Sequence, residues 1–345
     1  MKTKRLNYGQ AIHAALAHAM EKDPAVFLMG IGVDDHKAVF GTTKGFVGRF
    51  GRKRVFDTPI SEGAMTGIAV GAALGGMKPV HIHIRADFLY LAMDQLINNA
   101  AKWSAMSGGR ASVPLVIRAV IGRSWGQGAQ HSQSPQSLLM NVPGLKVAMP
   151  TTPADAQGLL LAAIEDPNPV VLLEHRLLYD IVGDVPDPPV AVPFGRAVVR
   201  RAGSDLTIVA GAHMAIESLK AAEFLAKHGV SAEIVDPVTL VPLDRAGILH
   251  SLAKTGRLLV VDSGWTTCGA SAEIAALAAE QGFDSLTAPV RRLGMQPTVC
   301  PVSKPLEQAF YPSAKTIAAE AFSMLGRAFP DAPAPELTNA FKGPF

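Results

Sequence analysis

The segment with the clearest chemical potential is residues 58–63 (TPISEG). Proline after Thr58 favours an extended chain, Ser61 is a residue type that caps helices, and Glu62 then falls in the first helical turn. The helix that follows, residues 63–76, has no charged residue, so we expect it to be buried on nearly every side. Glu62 is therefore either a plain partner of the helix dipole or a desolvated carboxylate that shares a proton with a bound heterocycle.

A second candidate is the glycine-rich loop at residues 122–134, which contains His131. Glycines let a loop lie close to a ligand, and histidine changes its charge near neutral pH. We therefore interpret His131 either as a proton-handling group or as a structural histidine.

A third candidate is the alternating segment of residues 81–88 (HIHIRADF). His81 and His83 are two residues apart and so share one face of a strand, which could form half of a metal site. No third ligand with sensible spacing is nearby, so two buried core histidines are the alternative.

The elements that must position these residues alternate between β-branched runs and helical patterns. Predicted strands lie near residues 26–29, 79–84, 115–118, 146–149, 170–173, 206–210, 232–235, 258–262 and 290–293. Predicted helices lie near residues 12–20, 61–76, 89–106, 153–165, 214–228, 244–255 and 271–280. This order is typical of α/β domains built on doubly wound, mostly parallel sheets.

Ligands of open α/β sheets bind beyond the carboxyl ends of the strands, which here selects residues 30–33, 58–62, 85–88 and 122–131 in the larger first domain. A proline-rich stretch begins at residue 184 and predicts a linker over residues 184–195. We therefore expect a first domain over residues 1–183, a smaller α/β domain over 196–327 and a proline-spaced tail over 328–345.

Composition narrows the class of protein. Lys and Arg number 32 against 29 Asp and Glu, and charged residues make up only 18% of the chain, where about 25% is usual. The longest apolar stretch, residues 65–77, is shorter than the roughly 20 residues that span a bilayer, and no basic cluster is large enough to indicate nucleic-acid binding. We therefore predict no membrane and no nucleic-acid partner, but a large subunit interface. The two cysteines show neither metal-ligand spacing nor a disulfide framework, which predicts a cytoplasmic protein.

Several segments together resemble a known family. DTPISEGAMTGIAVGAALGG, ADFLYLAMDQLINNAAKWSAMSGG, GAQHSQS and PGLKVAMPTTPADAQ are similar to the β subunits of 2-oxo acid dehydrogenase E1 components, which include the pyruvate, branched-chain 2-oxo acid and acetoin dehydrogenases. The resemblance implies a transketolase-like fold: a pyrimidine-binding domain followed by a transketolase C-terminal domain. It also implies an α2β2 heterotetramer in which the α subunit holds the diphosphate and Mg²⁺ of thiamine diphosphate. A lipoyl acyltransferase (E2) is a further possible partner. The chain itself lacks the Gly-Asp-Gly diphosphate signature.

The resemblance also assigns roles to residues. It implies that Glu62 hydrogen-bonds the aminopyrimidine ring, that Phe88 packs around that ring, and that His131 handles protons or orients the intermediate and the lipoyl group. The cofactor-binding positions it implies are Ile31, Ile60, Ser61, Glu62, Ile84, Asp87 and Phe88. The substrate-binding positions are Arg85, Gln130 and His131, and a structural K⁺ would lie at Leu115, Ala163, Ile164, Asp166 and Asn168.

Two departures from the family pattern bear on function. Ile31 stands where an acid is usual, and Arg85 replaces a residue that is commonly phenylalanine. We expect Arg85 either to pair with an anionic group of the substrate or to form a salt bridge with Asp87 or a partner chain. The resemblance predicts cleavage of a 2-oxo acid or acetoin with acyl transfer to a lipoyl group. A carboligase without a lipoyl partner and an inactive structural subunit are the alternatives.

Overall fold

Residues 2–123 and 126–331 are described by a computed structural model. Most of the predicted tail, residues 332–345, lies outside the described residues. The described chain forms two compact units, one of residues 2–122 with 138–194 and the other of residues 123–137 with 195–331. In these described ranges, every helix is too short or too polar to cross a lipid bilayer.

The first unit is built on parallel strands. Its elements are β1 (Thr3–Asn7), α1 (Tyr8–Lys22), β2 (Val26–Gly30), α2 (Phe46–Phe50), β3 (Val55–Asp57), α3 (Glu62–Leu74), β4 (Lys78–His83), α4 (Trp103–Met106), β5 (Val116–Ile121), α5 (Gln136–Met140), β6 (Lys146–Ala148), α6 (Pro153–Glu165), β7 (Val170–His175) and β8 (Val182–Pro186). The first two residues of α5 belong to the second unit. Strands of this unit pair in the order β6-β7-β5-β4-β2-β3, all parallel. Every residue of β2, β5 and β7 is buried, as expected for central strands covered on both faces.

Two helices of this unit begin at capping boxes. The Asn7 side chain accepts from the Gln10 backbone N–H while the Gln10 side chain accepts from the Asn7 N–H, and Thr152 and Asp155 do the same for α6. These reciprocal bonds satisfy N–H groups that a helix start would otherwise leave unpaired. α1 and α6 then pack against each other.

The predicted helix at residues 89–106 is wrong in detail, because the segment is broken. Ala86–Ala92 form a 3₁₀ helix, Gln95–Ala100 form a π-helix, and α4 follows as a short α-helix. Asn98 donates to the Asp94 carboxylate, and Asn99 donates to the Gln95 side chain. These bonds join side chains four residues apart along the segment, and nothing in the structure explains its irregular backbone.

The predicted linker also needs correction at its first residues. β8 includes residues 184–186 and pairs antiparallel with β1, a strand that sequence reasoning missed. Prolines are tolerated there because a two-stranded ribbon leaves outward N–H positions that need no partner.

The second unit carries its own sheet. Its elements are β9 (Val198–Arg201), β10 (Leu206–Ala210), α7 (His213–Lys227), β11 (Ala232–Asp236), β12 (Thr239–Val241), α8 (Arg245–Thr255), β13 (Leu258–Trp265), α9 (Ala270–Gln281), β14 (Arg291–Met295), α10 (Lys304–Phe310) and α11 (Ala314–Met324). The sheet order is β14-β13-β10-β11-β9, parallel except for β9. Both units are thus α/β with mostly parallel sheets, as the sequence predicts.

Candidate active site

The carboxyl edge of the first sheet gathers three of the predicted segments. The residues after β2, β3 and β4 are 31–34, 58–62 and 84–88. Because β2 pairs with both β3 and β4, these three segments lie side by side. This is the edge at which open α/β sheets bind ligands.

Glu62 is the first residue of α3, and its side chain is only 8% exposed. No hydrogen bond or ion pair engages its carboxylate within residues 2–123 and 126–331. The positive end of the helix dipole favours a carboxylate at this position. Its free oxygens can therefore accept a hydrogen bond from a ligand, such as a protonated ring nitrogen.

Asp57 fixes the loop beside it, a role that sequence reasoning missed. Its two carboxylate oxygens accept from the backbone N–H groups of Gly32 (3.2 Å) and Asp34 (2.9 Å). Gly30, at φ +149°, leaves no room for a side chain, because a Cβ there would lie 2.3 Å from the Ile82 carbonyl oxygen. The signal available in the sequence is an acid at the end of a strand, directly before Thr58-Pro59.

Two further acids, Asp34 and Asp35, follow Ile31 in the same loop. Asp34 forms a salt bridge with Arg52. Asp35 accepts from the backbone N–H groups of Lys37 and Ala38, both at 2.7 Å. Both carboxylates thus have protein partners of their own.

The predicted cofactor-binding residues at this edge are mostly apolar and differ in exposure. Ile60 is 82% exposed and Phe88 is 38% exposed, whereas Ile31 and Ile84 are half-buried and Ser61 is exposed. Exposed large apolar side chains are typical of a place where a ligand or another protein docks.

Arg85 follows β4 and is buried, as is Asp87. Burial lowers the pKa of Arg85 to about 10, and the charges of Asp87 and then Tyr179 act in the opposite direction. Among the described residues, Arg85 forms no salt bridge, and its one hydrogen bond is a 3.5 Å contact to the Ile84 carbonyl. The salt bridge between Arg85 and Asp87, one of the alternatives expected from the sequence, is therefore absent among the described residues.

His81 contacts α3, and His83 packs against His81. Burial lowers the pKa of His81 to about 4, and burial followed by the charge of His81 lowers the pKa of His83 well below its usual value. Their ring centroids lie 4.3 Å apart, and His81 Nδ1 is 3.3 Å from the Thr66 hydroxyl. Within the described ranges, no group of three or more His, Cys, Asp or Glu side chains is arranged to hold a metal.

The sequence predicted that Gln130 and His131 belong to the first domain. In the structure they belong to the second unit, because the loop that contains them groups with residues 195–331. His131 is half-buried and Gln130 is exposed. Glu62 and His131 thus lie in different units.

Polar contacts within the second unit hold this loop. Gln136 donates to the Asp262 carboxylate at 2.6 Å, and Tyr311 donates to the Ser132 carbonyl at 3.3 Å. Burial raises the pKa of Asp262 despite that hydrogen bond and those from nearby backbone N–H groups. The part of the loop that directly follows His131 is therefore held in place.

The predicted potassium positions meet at the turn between α6 and β7. The Leu115 carbonyl accepts from Val170 N–H (2.9 Å), and the Ala163 carbonyl accepts from Asp166 N–H (3.3 Å). The Asp166 carboxylate accepts from Asn168 N–H and pairs with Lys146. The carbonyl end of α6, which includes Ile164, is the negative end of the helix dipole and favours a cation.

Comparison with known proteins identifies a domain family for each of the two units. The transketolase pyrimidine-binding domain family matches residues 4–181, and the transketolase C-terminal domain family matches residues 195–317. A solved structure described as a split-gene transketolase, inactive β4 tetramer, superposes with a TM-score of 0.77 at 22% identity, covering 93% of this chain and 99% of that one. This likeness confirms the transketolase-like fold.

Curated relatives are similar over nearly the whole chain. The acetoin:2,6-dichlorophenolindophenol oxidoreductase subunit beta of Bacillus subtilis is 40% identical, covering 93% of this chain and 97% of the relative. The mitochondrial pyruvate dehydrogenase E1 component subunit beta-2 of Oryza sativa subsp. japonica is 41% identical, covering 95% of this chain and 88% of the relative. The chain therefore belongs to the family of transketolase-like β subunits found in acetoin and pyruvate dehydrogenase E1 components.

Proposed function

We propose that the chain is the β subunit of a heteromeric thiamine-diphosphate enzyme that cleaves a 2-oxo acid or acetoin. With a 2-oxo acid, the bond to the carboxylate breaks, CO₂ leaves, and the remaining acyl group is oxidised as a lipoyl disulfide is reduced to a thiol and an acyl thioester. The observation that carries the proposal is the unpaired, nearly buried Glu62 carboxylate at the first turn of α3. Relatives named as acetoin and pyruvate dehydrogenase subunits support the same reaction class.

Glu62 fits one end of the cofactor. Thiamine diphosphate, when bound, supplies the carbanion chemistry, and the protein supplies binding and protonation. We assign to the Glu62 carboxylate the holding of a proton against a ring nitrogen, because an acceptor free of protein partners is what such a ring requires. Ile60 and Phe88 supply apolar surface for the ring, with Ile31, Ser61, Ile84 and Asp87 around it. Asp57 holds the neighbouring loop in place.

His131 and Gln130 act, in this proposal, on the substrate side. A half-buried histidine on a loop fixed by its neighbours keeps its orientation while remaining accessible to a ligand. We assign to His131 the transfer of a proton or the orientation of the acyl acceptor.

A partner chain is part of the proposal. α3 exposes an apolar face, with Ile68 at 56%, and Leu91 beside it is 65% exposed. The expectation that α3 is buried on nearly every side is thus wrong for the single chain, and a face of this kind is typical of a subunit interface. The proposed partner is an α subunit, in an α2β2 assembly, that holds the diphosphate and Mg²⁺. An E2 lipoyl acyltransferase would accept the acyl group.

The proposal also covers a potassium site, the cellular location and the two alternative functions. K⁺ would bind at the carbonyl end of α6, with Leu115, Ala163, Ile164, Asp166 and Asn168 around it, since oxygen ligands suit a hard cation. Two free cysteines support the predicted cytoplasmic location. The relatives' names favour neither a carboligase nor an inactive structural subunit.

The test is Glu62→Gln in the chain co-expressed with its α partner. We expect kcat with a 2-oxo acid or acetoin to fall about 10²–10⁴-fold, as for loss of a general acid–base group, while the heteromer still assembles. Glu223→Gln, at an exposed position on α7, is the control and should leave kcat unchanged. Normal rates in Glu62→Gln would contradict the proposal.

A further inference from the structure

Arg85 stands on the segment against which the Glu62 helix begins. It directly precedes the 3₁₀ helix Ala86–Ala92 at the carboxyl edge of the first sheet. A Cβ added to Gly63 would lie 3.0 Å from the Leu91 carbonyl oxygen, so the first turn of α3 packs on this segment. Arg85 thus belongs to the same edge as the candidate catalytic carboxylate.

The protein leaves the guanidinium of Arg85 without an anion of its own. The side chain is 6% exposed, yet it forms no salt bridge with any residue in the described ranges. Its Nε and Nη2 atoms have no hydrogen-bond partner there and are not sealed from solvent. A buried charge of this kind costs free energy unless it is paired, and arginine cannot escape the cost by losing its proton at neutral pH.

We propose that Arg85 binds a carboxylate that the substrate carries in addition to its 2-oxo acid group, which makes a 2-oxo dicarboxylic acid the substrate class. The inference rests on the function proposed above. A planar guanidinium matches a carboxylate with two parallel N–H···O bonds. The charge of Asp87 partly offsets the effect of burial on the pKa of Arg85 without a salt bridge between them, so the guanidinium donors remain available.

The carboxylate adjoining the 2-oxo group is not the one that Arg85 binds. That carboxylate leaves as CO₂, and a strong ion pair to it would stabilise the ground state more than the transition state. Binding energy from a remote group that stays on the acyl unit carries no such penalty.

The test compares three substrates with the assembled heteromer: 2-oxoglutarate, pyruvate and acetoin. We expect Arg85→Gln to lower kcat/KM for 2-oxoglutarate about ten- to hundredfold, mainly through KM, and to leave pyruvate and acetoin within about threefold. Arg85→Lys should recover part of the loss, because it keeps the charge but not the two-pronged geometry. Arg110→Gln, at an exposed position of the same unit, is the matched control.

A binding measurement separates this inference from the proposed function. Calorimetric titration of the same heteromer with glutarate and with butyrate should show glutarate binding that is lost in Arg85→Gln, whether or not any substrate turns over. No turnover of any of the three substrates would contradict the proposed function alone. Equal losses for pyruvate and 2-oxoglutarate, or glutarate binding that survives in Arg85→Gln, would overturn the assignment of Arg85.

Discussion

Arg118 lies in β5 and Arg85 lies two residues beyond the end of β4, the neighbouring strand of the same parallel sheet, and both residues are buried. Arg118 donates to both oxygens of Glu174 in β7, at 2.6 and 2.9 Å, and reaches the Thr42 hydroxyl at 3.4 Å. Burial alone would lower the pKa of Arg118, but the charge and hydrogen bonds of Glu174 outweigh it and raise that pKa. For Arg85, burial has the larger effect and the pKa falls.

The comparison separates a structural charge from a binding charge. A buried ion satisfied within its own chain holds elements together, here β5 to β7. A buried ion with unused donors at a ligand-binding edge contributes little to the fold, and its charge is available for an incoming anion. Loss of charge should therefore destabilise the fold strongly at Arg118 and little or not at all at Arg85.

The largest effect is expected for Arg118→Met. Removing the cation leaves Glu174, at 2% exposure, as an unpaired buried carboxylate, which costs about 3–5 kcal/mol of unfolding free energy. Urea unfolding of the assembled protein measures the change. The double variant Arg118→Met/Glu174→Leu should recover much of it, because no charge is then left buried. A double variant as unstable as the single one would refute this account of the pair.

His81 and His83 show a third response to burial, since histidine can give up its charge. Burial lowers the pKa of His81 to about 4 in the folded chain. Between pH 6.5 and pH 4 the unfolded chain therefore binds a proton at His81 that the folded chain does not bind. We therefore expect stability to be constant above pH 6.5 and to fall as the pH drops towards 4, by up to about 3 kcal/mol from His81. The lowered pKa of His83 acts in the same direction.

The variant His81→Gln isolates this contribution in a series of urea unfolding curves between pH 7 and pH 4. The variant should lose less stability over that range than the natural chain. The control His36→Gln removes an exposed histidine and should keep the full decline. Equal declines in all three proteins would contradict the assignment.

A smaller effect is expected for Tyr179→Phe. The Tyr179 hydroxyl donates to Glu174, so its loss removes one hydrogen bond from the Arg118–Glu174 pair without removing a charge. Hydrogen bonds to charged groups are worth about 1.5–3 kcal/mol, and the two remaining bonds from Arg118 should keep the loss near the lower figure. Urea unfolding again measures it. Tyr90→Phe, on a half-buried tyrosine of the same unit, serves as the control.

Sequence reasoning located the parallel strands and Glu62 because both depend on local patterns. Runs of β-branched residues predict β4 and β5, and the uncharged helix after Ser61 predicts the start of α3. The predicted capping role of Ser61 is wrong, because its side chain makes no capping hydrogen bond. It could not find the Arg118–Glu174 pair, whose partners are 56 residues apart, or the loop-holding role of Asp57. The grouping of residues 123–137 with the second unit also depends on contacts with distant residues such as Asp262.

The smallest expected effect on stability is that of Arg85→Met. The methionine removes a desolvated charge that makes no salt bridge in the described part of the chain, and it keeps most of the side-chain volume. Removing a buried charge without a salt-bridge partner stabilises the fold. Removing the favourable interaction between the charges of Arg85 and Asp87 destabilises it. The unfolding free energy should therefore change by less than about 1 kcal/mol in either direction. A loss of 3 kcal/mol or more would place Arg85 with Arg118 as a structural cation, and the charge would then not be available to a substrate.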